Sequence, residues 1–160
     1  MSAPPTVRLG VEDAGEVLTL QRAAYVTEAQ SHADPGLPPL RQTLAELRAE
    51  LASGDVVALG IRDGGRLVAT VRVRHDGTDP GVAELARLAV APDRQGEGMG
   101  TRLLLEAEQH VRPGVSAIML FTGEHSHGNL RLYARHGYVE THRTPAGNHQ
   151  LVHLRKPVQT

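Results

Sequence analysis

At 160 residues, with 40% hydrophobic residues and a net charge of −1, the chain has the size and composition of one globular domain spanning 1–160. It has no cysteine, which excludes disulfides, thiolate zinc sites and an acyl-cysteine intermediate, and its single lysine, Lys156, argues against a Schiff-base or phosphate-cradling lysine. It shows no basic stripe, apolar run of membrane-spanning length or signal-peptide core, so neither nucleic acid nor membrane is an expected partner and the cytoplasm is the expected compartment.

In chain order, Thr6–Leu9 reads as a first strand and Glu12 to about Glu28 as a helix, with Val17, Leu20 and Ala24 on one face. Three prolines and a glycine make Ser31–Pro39 a loop. The spacing of Leu40, Leu44, Leu47 and Leu51 predicts a second helix. Strands Val56–Ile61 and Leu67–Arg74 follow, joined by the turn Asp63-Gly64-Gly65. In the second, Leu67, Ala69, Val71 and Val73 alternate with Thr70, Arg72 and Arg74, which predicts one apolar and one polar face. Val82–Val90 is the next strand. Pro92 stops it, and a glycine-rich turn leads into a helix with Met99, Leu103, Leu104, Ala107 and Val111 on its apolar face. Val115–Phe121 reads as a buried strand, and His127–His136 as a helix ended by Gly137. Tyr138–Arg143 and Gln150–Arg155 are two last strands around Pro145-Ala146-Gly147-Asn148. The order β-α-α-β-β-β-α-β-α-β-β implies an α/β fold, a mixed sheet with helices on both faces.

The stretch Arg87–Leu105 carries the strongest chemical signal. A strand, a turn with glycines at Gly96, Gly98 and Gly100, and a helix start together make a phosphate site. A mononucleotide loop needs a lysine where Gly-Thr-Arg stands, and the dinucleotide fingerprint needs a small residue where Thr101 stands. The pattern that fits is Gln/Arg-x-x-Gly-x-Gly/Ala, filled by Gln95, Gly98 and Gly100 after Leu-Ala-Val-Ala-Pro. It resembles the coenzyme A-binding motif of the GCN5-related N-acetyltransferases (GNAT). The segment Asn129-Leu130-Arg131-Leu132-Tyr133-Ala134-Arg135-His136-Gly137-Tyr138 is similar to that family's second motif, with Leu132 where a smaller residue is usual. Asn129 and Tyr133 lie four apart and so share a helix face.

The resemblance implies a GNAT-like, mostly antiparallel sheet flanked by helices, with its fourth and fifth strands splayed to admit acetyl-CoA. It implies that the main chain from Gln95 through Gly96, Glu97, Gly98, Met99 and Gly100 to Thr101 binds the pyrophosphate, with Arg94 a candidate phosphate partner. Leu88, Ala89 and Val90 would pair with the pantetheine arm and polarise the thioester carbonyl, and Asn129 would contact that arm. Tyr133 falls where a phenol of pKa about 10 protonates a departing thiolate of pKa about 8.5. Glu84 falls on the family's general-base position, and Tyr25 and Glu28 where relatives build the acceptor pocket. The activity implied is acetyl transfer to a primary amine by direct attack in a ternary complex, a small molecule being favoured over a peptide N-terminus. Homodimerisation is left open. The rival is an acyl-CoA-binding sensor without catalysis. The pair His125 and His127 has spacing that can ligate zinc but lacks a visible third ligand. No metal is expected; a loop with Ser126 as helix N-cap is the simpler reading.

Overall fold

The computed structural model describes residues 3–158; the terminal pairs 1–2 and 159–160 of the expected 1–160 domain lie outside the described residues. Its elements are β1 (Thr6–Leu9), α1 (Ala14–His32), α2 (Pro38–Arg41), α3 (Leu44–Ala52), β2 (Val56–Asp63), β3 (Arg66–Arg74), β4 (Val82–Val90), α4 (Met99–Glu108), β5 (Ala117–Gly123), α5 (His127–Arg135), β6 (Val139–Ala146) and β7 (His149–Pro157). One seven-stranded sheet runs β1-β2-β3-β4-β5-β7-β6. Every neighbouring pair is antiparallel except β4–β5, which is parallel.

The sheet buries both faces. Leu9, Ala58 and Leu67 pack under Val17 and Leu20 of α1 and Leu47 of α3. On the opposite face Leu59, Ile61 and Val71 meet Met99, Leu103 and Leu104 of α4 and Tyr133 of α5. No described helix is long and apolar enough to cross a membrane.

Three expectations need correction. Helix α1 passes Glu28 to His32, because Ala-Gln-Ser-His contains no breaker and the left-handed Ala33 ends the helix. The expected loop contains the short α2, started by Pro38-Pro39, since proline suits a first helical turn. The second long helix therefore begins at Leu44 rather than Leu40. Thr43 Oγ1 accepts from the Glu46 N–H at 3.1 Å, and Glu46 accepts from the Thr43 N–H at 2.9 Å.

A further feature bears on the site. The polar residues of β3 are covered rather than solvated: Arg72 is 1% accessible. Its Nε donates to Glu50 at 2.6 Å, and its Nη2 to Gln21 at 3.0 Å and Gln42 at 3.2 Å. Burial pulls the Arg72 guanidinium down to about 10, so it stays charged at neutral pH. This polar knot pins α1, the α2–α3 connection and α3 onto β3, and with them one wall of the cavity described next.

Candidate active site

The site begins where two strands part. β4 and β5 pair at Val82–Ala117, Ala83–Ile118 and Glu84–Met119, and have no further pairing beyond Glu84. On its other edge β4 bulges at the same place. Ala86 lies opposite Arg72 and Ala89 opposite Thr70, so Arg87 and Leu88 together face Val71. Arg87 takes φ 57°, a left-handed conformation costing a residue with a side chain about 1–2 kcal/mol. Bulges bend a strand and re-aim its side chains. The splaying expected between these strands is therefore present, together with a bulge that periodicity did not reveal.

Two cavities meet in the opening. One, of about 440 Å³, is bounded by α1, the α2 segment, Glu84–Leu88, the end of β5 and Tyr133. The other, of about 800 Å³, runs along the end of β4, the glycine turn and α5. Tyr25, Glu28, Leu88 and Asn129 line both. The cavities are thus adjacent chambers, and these four shared residues form the waist between them.

The larger chamber contains the expected phosphate turn. Gly98 is the N-cap of α4 at φ 83°, a conformation only glycine adopts freely. The first helical bond runs from the Arg102 N–H to the Gly98 carbonyl at 3.1 Å. The N–H groups of Met99, Gly100 and Thr101 thus lie ahead of the helical ladder, at the positive end of its dipole. Gln95 Nε2 reaches the Val90 carbonyl at 3.4 Å, holding the turn against the strand. Arg94 is occupied within the protein, at 2.9 Å from Asp63 and 3.1 Å from Glu97. Its charge is largely offset before any ligand arrives. Sequence reasoning did not single out Arg131 and Arg135, which line the same chamber from α5. Their i, i+4 spacing was the available signal.

The waist is held by α1. Tyr25 donates to the Leu88 carbonyl at 3.3 Å, and burial pushes its phenol above the usual range. The Ser126 hydroxyl donates to Glu28, so Ser126 takes the N-cap position of α5 without capping through its side chain. Buried His32 bridges the Glu28 carbonyl at 2.8 Å and the His125 N–H at 3.0 Å. The first contact requires a proton on Nδ1 and the second a lone pair on Nε2, which assigns one neutral tautomer. This imidazole clamps the end of α1 to the β5–α5 loop. Among the described residues no three His, Asp or Glu side chains stand close enough to hold a metal ion.

Asn129 and Tyr133 project from α5 into the smaller chamber, Asn129 also donating to Thr122 Oγ1 at 3.5 Å. Tyr133 is 6% exposed. Burial pushes its phenol well above the usual value of 10, and the nearby Tyr25 and Glu28 add to that effect. Glu84 faces this chamber with Oε1 bound to Arg74 at 3.0 Å. The sequence-derived candidates are therefore divided between the two chambers: Met99, Gly100 and Thr101 line the larger, Glu84 and Tyr133 the smaller, and Tyr25, Glu28, Leu88 and Asn129 both.

Comparison with known proteins bears on this arrangement. The model of the Acetyltransferase (GNAT) family matches residues 19–138. Mycothiol acetyltransferase of Rhodococcus jostii (strain RHA1) is 33% identical over 140 residues, which cover 83% of this chain and 44% of that protein. The chain thus spans less than half the length of that relative. S-(2-succino)cysteine N-acetyltransferase of Bacillus subtilis (strain 168) is 29% identical over 172 residues, covering 97% of each. Among solved structures, PaiA N-acetyltransferase of Thermoplasma acidophilum in complex with coenzyme A superposes with a TM-score of 0.76 at 20% identity, covering 98% of this chain and 99% of that one. At that identity the likeness speaks to the fold.

Proposed function

The chain belongs to the acetyltransferase (GNAT) family, and from that premise we propose that it transfers the acetyl group of acetyl-CoA to the primary amine of a small molecule, by direct attack within a ternary complex. The observation that carries this reading is the shared waist. A chamber ending on the unpaired N–H groups of α4 suits a phosphate-bearing coenzyme, and a second chamber opening from it suits an acceptor.

In this reading the pyrophosphate lies on the turn from Gln95 to Thr101, and the pantetheine arm follows the β4 edge that β5 leaves unpaired from Leu88 to Val90. The thioester then reaches the waist beside Asn129. The acceptor nitrogen attacks the carbonyl carbon, forming an N–C bond, and the C–S bond breaks. A main-chain N–H of that edge stabilises the developing oxyanion. Glu84 takes the proton the amine loses, through Oε2, which Arg74 does not occupy. Tyr133 gives its proton to the departing thiolate. Glu28, at the waist, draws in the acceptor while it is still an ammonium ion.

A small-molecule acceptor is favoured by the limited volume of about 440 Å³ and by the relative named for acetylating a cysteine derivative. The test is an amine-library screen with acetyl-CoA, read by release of free thiol. Thiol release that depends on the amine is the expected result. Tight coenzyme binding without turnover for any amine would instead support the sensor reading.

A further inference from the structure

We propose that the acceptor carries a carboxylate as well as its amine, and that Arg87 is the residue that binds this carboxylate. The proposal rests on the acetyl-transfer reading above and names the acceptor class for the smaller chamber.

The first observation is a guanidinium without an ion pair. Arg72, Arg74 and Arg87 stand close together, and the carboxylates interleaved with them are Glu50 and Glu84. Glu50 is bound by both Arg72 and Arg74, and Glu84 by Arg74. These pairings leave Arg87 with no carboxylate within ion-pair distance among the described residues. Arg87 lines the smaller chamber, and its Nε has no hydrogen-bond partner within the protein. A partly buried guanidinium lacking a partner carries a desolvation cost, and a ligand oxyanion offsets it. The two Nη groups of a guanidinium, both donating, match the two oxygens of a carboxylate.

The second observation is the backbone. Arg87 occupies its place at φ 57° within the β4 bulge, a strained conformation for a residue with a side chain. Strain of this kind tends to collect where a side chain is held for a ligand. The third is polarity. Arg87 offers positive charge on the chamber wall while Glu28 offers negative charge at the waist. A molecule with an amine and a carboxylate therefore fits in one orientation, with its nitrogen toward the thioester.

The test pairs each proteinogenic L-amino acid with its α-carboxamide, using wild type, Arg87→Lys and Arg87→Met. Both replacements carry a Cβ, so the backbone cost at this position is unchanged. Wild type is expected to favour the acids over the matched carboxamides in kcat/KM by about 10- to 100-fold, the range of a charge-assisted contact. Arg87→Met should bring that ratio close to one, chiefly by slowing the acids, and Arg87→Lys should keep part of it. Coenzyme affinity should stay within about twofold in both variants, since Arg87 does not line the coenzyme chamber. Equal use of acids and carboxamides by wild type, or a preference that survives in Arg87→Met, overturns the proposal. If no amine is acetylated, the transferase reading fails, and calorimetry with the same acids and coenzyme A decides separately. Binding of an acid by wild type but not by Arg87→Met supports the carboxylate site, and absence of binding overturns it.

Discussion

Arg74 holds Glu84 through one carboxylate oxygen, Nη1 to Oε1 at 3.0 Å, while the same guanidinium is anchored to Glu50 at 2.8 Å. The pairing restrains the Glu84 carboxylate at the chamber wall and leaves Oε2 without a contact to Arg74. If that oxygen receives the ammonium proton, Glu84→Gln keeps the shape and the contact with Arg74 but removes the basic site. Turnover should then fall ~100-fold or more with coenzyme affinity within about twofold. Glu28→Gln is the informative companion, because Glu28 is a carboxylate that lines both chambers. Its main effect should be on acceptor KM. Loss of turnover in Glu28→Gln with a normal Glu84→Gln would move the proton acceptor to α1.

Phosphate binding is expected to depend on the backbone more than on side-chain charge. At φ 83°, Gly98 admits no other residue without strain of about 1–2 kcal/mol, and a β-branched residue suffers more. Gly98→Val should abolish coenzyme binding by turning the N–H groups of Met99 to Thr101 away from the ligand. Arg94→Ala should weaken it only a few-fold, since Arg94 already serves Asp63 and Glu97. Calorimetry with coenzyme A compares the two, and equal losses would refute the backbone account.

The polar knot under α1 predicts an acid-sensitive fold. Burial alone would raise the Glu50 carboxyl, but Arg72, Arg74 and the Gln42 hydrogen bond outweigh it and hold the group below its ordinary value of 4.5. A depressed folded-state value contributes stability that is full above the unfolded value and is lost as pH falls through the folded one. Urea midpoints should therefore drop on acidification below about pH 4.5, and Glu50→Gln should flatten that part of the curve. At neutral pH, Glu50→Ala leaves Arg72 buried without its counter-ion and should cost ~3–5 kcal/mol. A loss under ~1 kcal/mol would mean that water reaches the knot.

What the sequence made legible were features written locally. Pro92, the alternate glycines and the apolar stripe of Met99, Leu103 and Leu104 define strand, turn and helix within one stretch, and Asn129 and Tyr133 share a face because they are four residues apart. What stayed hidden depends on partners distant in the chain. Alternation places Arg72 on a polar face but does not show that Gln21 and Glu50, 51 and 22 residues away, close over it. Arg94 reads as a ready phosphate ligand until the hairpin brings Asp63 beside it. Likewise, no periodicity couples His32 to the His125 main chain 93 residues later. The bulge at Arg87 leaves no trace in composition, because the residue in the left-handed conformation is not a glycine.

The decisive substitution is Tyr133→Phe. Burial, reinforced by Tyr25 and Glu28, keeps the phenol protonated well above its ordinary value of 10. Tyr133 thus stays protonated at every working pH, and its own ionisation should contribute no alkaline fall in rate below about pH 10. The ring packs edge-on against Tyr138, with centroids 6.0 Å apart, a contact that phenylalanine retains. Melting temperature should therefore change little, and coenzyme affinity should stay within about twofold, because the hydroxyl is assigned to the leaving thiolate rather than to ground-state binding. Turnover should fall ~100- to 10,000-fold wherever thiolate departure limits the rate. A purely structural tyrosine gives the reverse pattern, with a lowered melting temperature and nearly normal turnover per folded molecule. Measuring all three quantities on one preparation separates these cases, and near wild-type turnover with a good acceptor would remove Tyr133 from the chemistry.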